Sequence, residues 1–309
     1  MLNSKNKIRI LIADKINLSG LKFLPKKYFH VYYKYNLSNI ELLEKYNNYD
    51  ALVIRTVRKI DKNFLKKCNY KLIASCSKGL DHINVNSALK QNIKIVNSEE
   101  GNSVSAAEHT FAFILAIMKN IFYSDVLVRN GKFGFYDFRR NELKGKIIGI
   151  IGMGKVGSIV AKYSAAFDMQ ILCNDIDKNV IKKYSNYRFK NLDFILKNAD
   201  IVTFHIPLNN DNRNFMTEKR LKLLNNNCIL INTSRGEIID EKFLIKQLKN
   251  GNLYYAGLDV FKNEPEINKS LIGLKNAVLT NHIAGKTEES TQYISNDIFM
   301  QVKNYFLFK

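Results

Sequence analysis

Three polar side chains in the second half of the chain have the types and order that acid–base chemistry on a carboxylic acid needs. Arg235, Glu264 and His282 each follow a short apolar run of the kind that forms a buried strand. A guanidinium can bind a carboxylate through two parallel hydrogen bonds. A carboxylate beside an imidazole favours its protonated form, so the ring can donate a proton and take it back near neutral pH. We therefore expect the three groups to converge on one pocket.

A glycine pattern earlier in the chain is typical of a dinucleotide site. The apolar run 146–151 leads into Gly152, Gly154 and Gly157, which allow a tight turn, close approach to a pyrophosphate and packing of a helix on a strand. Asp175 lies 18 residues beyond Gly157 (175 − 157), close to the ~20 expected of a carboxylate that binds the ribose hydroxyls. That carboxylate would repel a 2′-phosphate, so the pattern favours NAD over NADP. A glycine-rich turn in an unrelated loop is the alternative.

Apolar runs alternate with amphipathic stretches along the whole chain, which is the pattern of parallel α/β sheets. Helices are predicted after Ser38 and Asp61, from Ser103, from Lys155 and over 288–308. Because the glycine motif lies in mid-chain, about a hundred residues before it form an α/β domain of their own, to which the last helix returns. Strands are predicted at 8–13, 51–54, 72–75, 93–96, 147–151, 171–173, 201–204, 228–232, 255–258 and 278–279.

Composition restricts the class of protein. The chain of 309 residues has a net charge of +20, but its lysines are spread out and no basic run with interleaved aromatics suggests a nucleic-acid surface. No apolar run approaches a membrane span, and the N-terminal run is too short for a signal peptide. The four cysteines show no metal-type spacing. We expect a cytoplasmic protein with no metal site, no membrane and no nucleic-acid partner, whose positive field could attract an anionic metabolite.

The residues above also carry a family resemblance. Together with the motifs 55–60, 79–84 and 101–108, they make the chain similar over nearly all of its length to the D-isomer-specific NAD-dependent 2-hydroxyacid dehydrogenases, and most of all to the phosphoglycerate dehydrogenase branch. The resemblance implies an α/β fold of two doubly wound parallel-sheet domains, in which a Rossmann NAD-binding domain (98–285) is inserted into a flavodoxin-like substrate domain (1–97 and 286–309).

The resemblance also implies roles for individual residues. His282 is the acid and base, Glu264 its partner, and Arg235 the residue that orients the substrate. The substrate carboxylate is bound by the loop of Ser77, Lys78 and Gly79, and a phosphate by Arg55 and Arg58. The implied cofactor contacts are Lys78, Gly152, Gly154, Lys155, Val156, Gly157, Asp175, Ile206, Pro207, Thr233, Ser234, Arg235, Asp259, His282, Ala284 and Gly285.

The chain departs from the family pattern at three positions. Ser77 stands where glycine is common, Lys78 where a small polar residue is usual, and Asn281 where proline usually precedes the histidine. The first two lie in the loop that is expected to bind the substrate carboxylate, so the identity of the substrate stays open.

The expected reaction is NAD-dependent oxidation of 3-phosphoglycerate to 3-phosphohydroxypyruvate, the first step of serine biosynthesis. A reductase for glyoxylate, hydroxypyruvate or another 2-oxo acid is the alternative within the class, and an NAD(H)-sensing corepressor-like binding protein is the alternative outside it. The long apolar helix after Ser103 is either core or a subunit interface, and the resemblance implies a homodimer through the NAD-binding domain. No regulatory domain is expected after the last helix.

Overall fold

The computed structural model describes residues 7–134 and 139–308, so the first six residues of the N-terminal segment, judged above too short in its apolar run for a signal peptide, lie outside the described part. The chain forms two compact units, one of Met1–Asn102 with Lys286–Lys309 and the other of Ser103–Gly285. Residues 98–102 therefore belong to the first unit, whereas the sequence-based boundary follows residue 97.

The described residues alternate strands and helices in chain order. The elements are β1 (Ile8–Ile12), β2 (Phe29–Tyr33), α1 (Asn39–Lys45), β3 (Ala51–Ile54), α2 (Lys62–Lys67), β4 (Leu72–Ser75), α3 (Val85–Lys90), β5 (Lys94–Asn97), α4 (Ser103–Lys119), α5 (Ile121–Arg129), β6 (Ile147–Ile151), α6 (Lys155–Ala166), β7 (Gln170–Asn174), α7 (Lys178–Lys183), β8 (Arg188–Phe189), α8 (Leu192–Asn198), β9 (Ile201–Phe204), α9 (Glu218–Leu221), β10 (Ile229–Asn232), α10 (Glu241–Lys249), β11 (Tyr255–Leu258), α11 (Lys269–Ile272), β12 (Ala277–Leu279) and α12 (Glu288–Leu307).

The first unit is a five-stranded parallel sheet in the order β2-β1-β3-β4-β5, which is the flavodoxin-like order. Helix α12 covers one face through Ile298, Phe299 and Val302, all fully buried, while α1 and α2 contribute to the apolar cluster on the other face. Covered on both faces, the strands are continuous apolar runs rather than alternating ones. Helices α1 and α2 begin where Ser38 and Asp61 bind backbone N–H groups of their first turns.

The second unit is a seven-stranded parallel sheet in the order β12-β11-β10-β9-β6-β7-β8. The chain runs outward from β6 in one direction to β8 and then returns through β9 in the other, so the order reverses at β6 as in a Rossmann fold. The predicted fold class is confirmed. Ligands of such sheets bind at the carboxyl ends of the strands near the point of reversal.

Helix α4 belongs to the core of the second unit. Ten of its residues are buried, among them Phe111, Phe113, Ile114 and Ile117. Helix α5 instead leaves several apolar side chains exposed. No single helix in the described part of the chain is long and apolar enough to cross a membrane. Helices α4 and α5 reach that length and apolar content only when taken together, and the pair is bent by 59°.

Candidate active site

The glycine motif forms a tight, open loop between β6 and α6. Gly152 has a φ of +94°, and a Cβ there would lie 2.7 Å from the carbonyl oxygen of His205. A Cβ on Gly157 would run into the carbonyl of Gly152. A Cβ on Gly154, by contrast, would meet no atom within 4 Å. The first and third glycines are thus required by the protein itself, while the second borders open space into which a pyrophosphate could fit.

Asp175 follows β7 and fixes this loop. One carboxylate oxygen, Oδ2, accepts the Met153 N–H at 2.7 Å, and the other, Oδ1, accepts the Asp177 N–H at 2.9 Å. The residue is only half-buried. Because an ionised carboxylate has about four acceptor positions, these two bonds leave capacity for the hydroxyls of a ribose.

The other predicted cofactor contacts of the second unit follow the neighbouring strands. Residues 206–207 come after β9, 233–235 after β10, Asp259 after β11 and 282–285 after β12. The strands are parallel, so their carboxyl ends lie on one edge of the sheet. Ile206 reaches the glycine loop, with its Cγ2 at 3.0 Å from the position a Cβ of Gly152 would take.

His282 and Glu264 are in direct contact on this edge. The His282 Nδ1 lies 2.6 Å from Glu264 Oε2, and the other carboxylate oxygen, Oε1, accepts the Phe261 N–H at 2.9 Å. The His282 side chain is 39% exposed and that of Glu264 33%, so both can be reached by a ligand. With Nδ1 committed to the carboxylate, Nε2 is the atom through which the ring can exchange a proton with a ligand.

The surroundings of Glu264 keep it ionised. Partial burial raises its pKa, but the hydrogen bonds from His282 and Phe261 and the charges of His282 and Arg235 outweigh burial and lower the pKa below its usual value. The ionised carboxylate can therefore stabilise a protonated His282.

Arg235 belongs to the same group, because its charge acts on Glu264. Its backbone carbonyl accepts a hydrogen bond of 2.8 Å from Asn232 Nδ2, and its Nη1 donates to the Ser234 carbonyl at 2.8 Å. The buried Gly236 behind it has no room for a Cβ, which would run into the backbone of Phe261. The structure thus brings the three predicted chemical groups together.

Asp259 holds the turn that carries His282. Its buried carboxylate accepts Thr280 Oγ1 at 2.6 Å and the N–H groups of Ile283 and Ala284 at 2.8 Å each, and its carbonyl accepts the His282 N–H at 2.9 Å. His282 has a φ of +56°, a left-handed backbone conformation that a residue other than glycine keeps only when its surroundings enforce it. The carboxylate of Asp259 is one such restraint.

Sequence reasoning missed a polar face on α4. The Nε2 of His109 lies 3.0 Å from Thr280 Oγ1, Ser105 Oγ donates to the Ala284 carbonyl at 2.6 Å, and Thr110 Oγ1 lies 2.9 Å from Thr233 Oγ1. Burial lowers the pKa of His109, against the opposing charge of Asp259. Three polar residues at positions i, i+4 and i+5 of an otherwise apolar helix were the signal that could have revealed this support for two loops of the site.

The predicted carboxylate loop lies in the first unit, directly after β4. Arg55 follows the neighbouring strand β3, and its charge reaches Cys76, whose pKa burial raises to about 12 against the opposing effect of Arg55. The Arg55 Nη1 donates to the Lys15 carbonyl at 3.3 Å. Arg55 thus exerts its positive charge on Cys76, the residue directly before the loop.

Arg58, in contrast, is committed to the interior of the first unit. Its Nε and Nη2 bind the Asp14 carboxylate, with the shortest contact at 2.8 Å, and Nη1 donates to the Leu37 carbonyl and to Asn39 Oδ1. Nη2 also donates to the Ala13 carbonyl. Every guanidinium nitrogen has a protein partner, so Arg58 closes the end of the sheet; its role in a phosphate clamp stays a prediction that these contacts disfavour.

Loss of this buried pair is expected to destabilise the protein. The Arg58 and Asp14 side chains are each 9% exposed, so Arg58→Met leaves a buried carboxylate without its cation and should lower the free energy of unfolding by about 3–5 kcal/mol. Arg129→Met is the matched control: Arg129 pairs with Asp125 on an exposed helix face, so its replacement should change the free energy of unfolding far less. Urea denaturation measures both, and equal losses would contradict the structural role.

Comparison with known proteins decides the family. Residues 111–284, more than half of the chain, match the family model for the NAD binding domain of D-isomer specific 2-hydroxyacid dehydrogenases. The chain belongs to this family. The predicted resemblance and the predicted cofactor class are confirmed with it.

Curated relatives of two kinds are similar to this family member. A D-3-phosphoglycerate dehydrogenase of Methanocaldococcus jannaschii is 32% identical over 96% of this chain and 57% of its own length. A glyoxylate reductase of Thermococcus litoralis is 35% identical over 93% of this chain and 90% of its own length. The chain thus spans little more than half the length of the phosphoglycerate dehydrogenases it matches.

A solved structure supports the same assignment. The D-lactate dehydrogenase from Aquifex aeolicus, complexed with NAD and lactic acid, is 26% identical, has a TM-score of 0.83, and is matched over 96% of this chain and 95% of its own.

Proposed function

We propose that this member of the family is an NAD-dependent dehydrogenase that interconverts a D-2-hydroxyacid and the corresponding 2-oxo acid. The observation that carries the proposal is the 2.6 Å contact between His282 Nδ1 and Glu264 Oε2. It supplies an acid–base group with its charge partner, beside Arg235 and on the strand edge that also carries the glycine loop.

Three residues have distinct roles in the proposed reaction. Arg235 binds the carboxylate and polarises the carbonyl of the oxo acid. His282 donates a proton from Nε2 to the carbonyl oxygen in reduction and takes it from the hydroxyl in oxidation. Glu264, ionised, holds the imidazole through Nδ1 and stabilises its protonated form. NAD(H), when bound, accepts or supplies the hydride.

The residues around the glycine loop fit the cofactor. Gly154 borders open space, the first turn of α6 offers backbone N–H groups to phosphates, and Asp175 has acceptor capacity for the ribose. The remaining contacts implied by the family resemblance, including Asp259, Thr233 and Lys78, stay predictions.

Replacement of Asp175 tests the choice of cofactor. Asp175→Ala removes the acceptor for the ribose and the charge that repels a 2′-phosphate, so we expect about tenfold weaker NAD binding and a selectivity shift toward NADP. Fluorescence titration of purified protein with NADH and NADPH measures both. Asp177→Ala is a neighbouring control, since Asp177 caps α7 and should leave selectivity unchanged. Unaltered selectivity in Asp175→Ala would place recognition of the ribose elsewhere.

The substrate is one of two kinds. Arg55, beside the carboxylate loop, and the phosphoglycerate dehydrogenase relatives support 3-phosphoglycerate, and with it a place in serine biosynthesis. The contacts of Arg58 with Asp14 argue against its part in the predicted phosphate clamp, and the glyoxylate reductase relatives support a small unphosphorylated oxo acid. The contacts of Arg58 favour the second kind.

A substrate panel decides between them. Purified protein is assayed through the absorbance of NADH with 3-phosphohydroxypyruvate, hydroxypyruvate, glyoxylate and pyruvate. A preference for the phosphorylated acid that Arg55→Ala abolishes would establish the phosphate site; equal rates with hydroxypyruvate and its phosphate would remove it. A turnover below ~1 s⁻¹ with every acid, together with tight NADH binding, would favour the NAD(H)-sensing binding protein.

We also propose that the protein forms a homodimer through its NAD-binding domain. Because α4 is buried within its own unit, we assign the dimer contact to α5. Four apolar side chains of this helix are each at least half exposed: Ile121, Phe122, Val126 and Val128. An exposed apolar patch of this kind marks an interaction surface. Sedimentation equilibrium tests the proposal: a dimer that Val128→Asp converts to a monomer is expected, and a monomeric wild type would refute it.

A further inference from the structure

A chain of hydrogen bonds runs beneath the carboxylate loop of the first unit. His82 Nε2 lies 2.9 Å from Ser75 Oγ, Ser75 Oγ lies 2.7 Å from Ser77 Oγ, and Ser77 Oγ donates to the Gly79 carbonyl at 2.8 Å. Ser75 and Ser77 are buried, at 0% and 9% exposure. The chain therefore joins an imidazole to the backbone of the loop through two hydroxyl groups shielded from water.

The donor-to-acceptor direction of these hydrogen bonds follows from counting the protons of each group. The Gly79 carbonyl can only accept, so Ser77 uses its single proton there and must accept from Ser75. Ser75 has then used its own proton and must accept from His82. The His82 ring consequently carries a proton on Nε2, and every donor in the chain points toward Gly79.

The chain of hydrogen bonds fixes the direction in which the loop presents its N–H groups. In a trans peptide the N–H points opposite to the carbonyl, so a carbonyl held inward aims the next N–H outward. Ser77 Oγ holds the Gly79 carbonyl, Asn97 Nδ2 holds that of Lys78 at 2.7 Å, and the Ser98 N–H holds that of Ser77 at 3.0 Å. Successive N–H groups of the loop are thereby turned to the opposite side.

Two of these N–H groups are available to an anion. Within residues 7–134 and 139–308, the N–H groups of Gly79 and Leu80 donate to no protein acceptor, while the loop around them is half-exposed. Two neighbouring donors match the two oxygens of a carboxylate.

We propose that Ser77 and His82 are positioning residues of the carboxylate loop: the relay His82–Ser75–Ser77 holds the Gly79 carbonyl and so fixes the direction in which the loop presents its N–H groups to the substrate carboxylate. The role rests on the proposed function. Ser77 stands where glycine is common in the family. Its hydroxyl adds a hydrogen bond to the Gly79 carbonyl, which a glycine at position 77 could not make, and this bond gives the departure from the family pattern a structural role.

Steady-state kinetics on the full-length protein test the relay. Ser77→Ala and His82→Leu should raise the KM for the preferred 2-oxo acid about 3- to 10-fold, the effect of one hydrogen bond, with kcat and the KM for NADH within twofold of wild type. His82→Gln keeps an N–H donor near the position of Nε2 and should restore the KM. Ser87→Ala, on α3 of the same unit, is the matched control and should match wild type in all three constants.

Several outcomes would overturn the relay. These are a His82→Gln variant as impaired as His82→Leu, a KM for NADH that rises as much as that for the acid, or unchanged constants in Ser77→Ala. Urea denaturation of each variant shows whether a loss reflects unfolding instead, and the Gln variant decides if the Leu variant does not fold.

Nitrogen-15 NMR of histidine-labelled protein tests the relay without turnover. We expect the Nε2–H tautomer for neutral His82, identified by the signal lost in His82→Gln. An Nδ1–H tautomer would refute the relay even in an active enzyme. If wild type reduces no 2-oxo acid, the proposed function fails, and the tautomer still shows whether the hydrogen-bond chain exists.

Discussion

His282→Ala is expected to lower kcat by about 10²-fold or more in both directions of the reaction, the usual contribution of a positioned general acid or base. The imidazole is the group whose Nδ1 lies 2.6 Å from Glu264 Oε2, so its loss removes the proton donor that this carboxylate positions on the strand edge. Affinity for NADH, measured by fluorescence titration, should change little, because the contacts proposed for the glycine loop and Asp175 are with the other end of the cofactor.

The control for this variant is His30→Ala. His30 lies on the edge strand β2, where its ring is exposed and stacks on Tyr32. It should have wild-type kcat and affinity. A His282→Ala enzyme with wild-type turnover would mean that another residue transfers the proton, and the proposed function would lose the observation that carries it.

Arg235→Lys is expected to reduce kcat/KM for the oxo acid by about 10²-fold or more, despite the retained charge. A guanidinium offers two parallel donors to a carboxylate, and each hydrogen bond to a charged group contributes about 1.5–3 kcal/mol. An ammonium group cannot reproduce that geometry. Because the Arg235 charge also lowers the pKa of Glu264, Arg235→Ala should impair the enzyme further than Arg235→Lys.

The same substrate series provides the measurement for Arg235. The loss should depend on the carboxylate, so kcat/KM for the amide of the best oxo acid should change far less than that for the acid itself. Arg188→Lys, on the exposed edge strand β8, is the matched control. Equal losses for acid and amide would assign Arg235 to maintenance of the fold rather than to substrate binding.

Much of the fold could be predicted from the sequence because its signals are local. Strands β3, β4, β6, β9 and β11 match their predicted bounds, since each is a run of four or five mostly apolar residues. Strand β8 was not predicted, because a strand of two residues has too little pattern to detect.

The site was predictable to the extent that its residues follow strands. The fingerprint glycines and the trio at the ends of β10, β11 and β12 were found because carboxyl ends of parallel strands must share an edge. Contacts between residues far apart in sequence were not found. Arg58 and Asp14 are 44 residues apart, and His109 and Thr280 are 171 apart.

The sequence by itself determined the two parallel sheets and the dinucleotide motif and nominated the candidate acid–base group, since hydrophobic periodicity and glycine spacing act over a few residues. Only the tertiary structure decided which polar groups are already satisfied. It paired the guanidinium of Arg58 with Asp14, placed His109 beside Thr280 in the turn that leads to His282, and joined Ser77 to Ser75 and His82 by hydrogen bonds. A polar group's availability depends on whichever distant partner folding brings to it, and local pattern does not contain that partner.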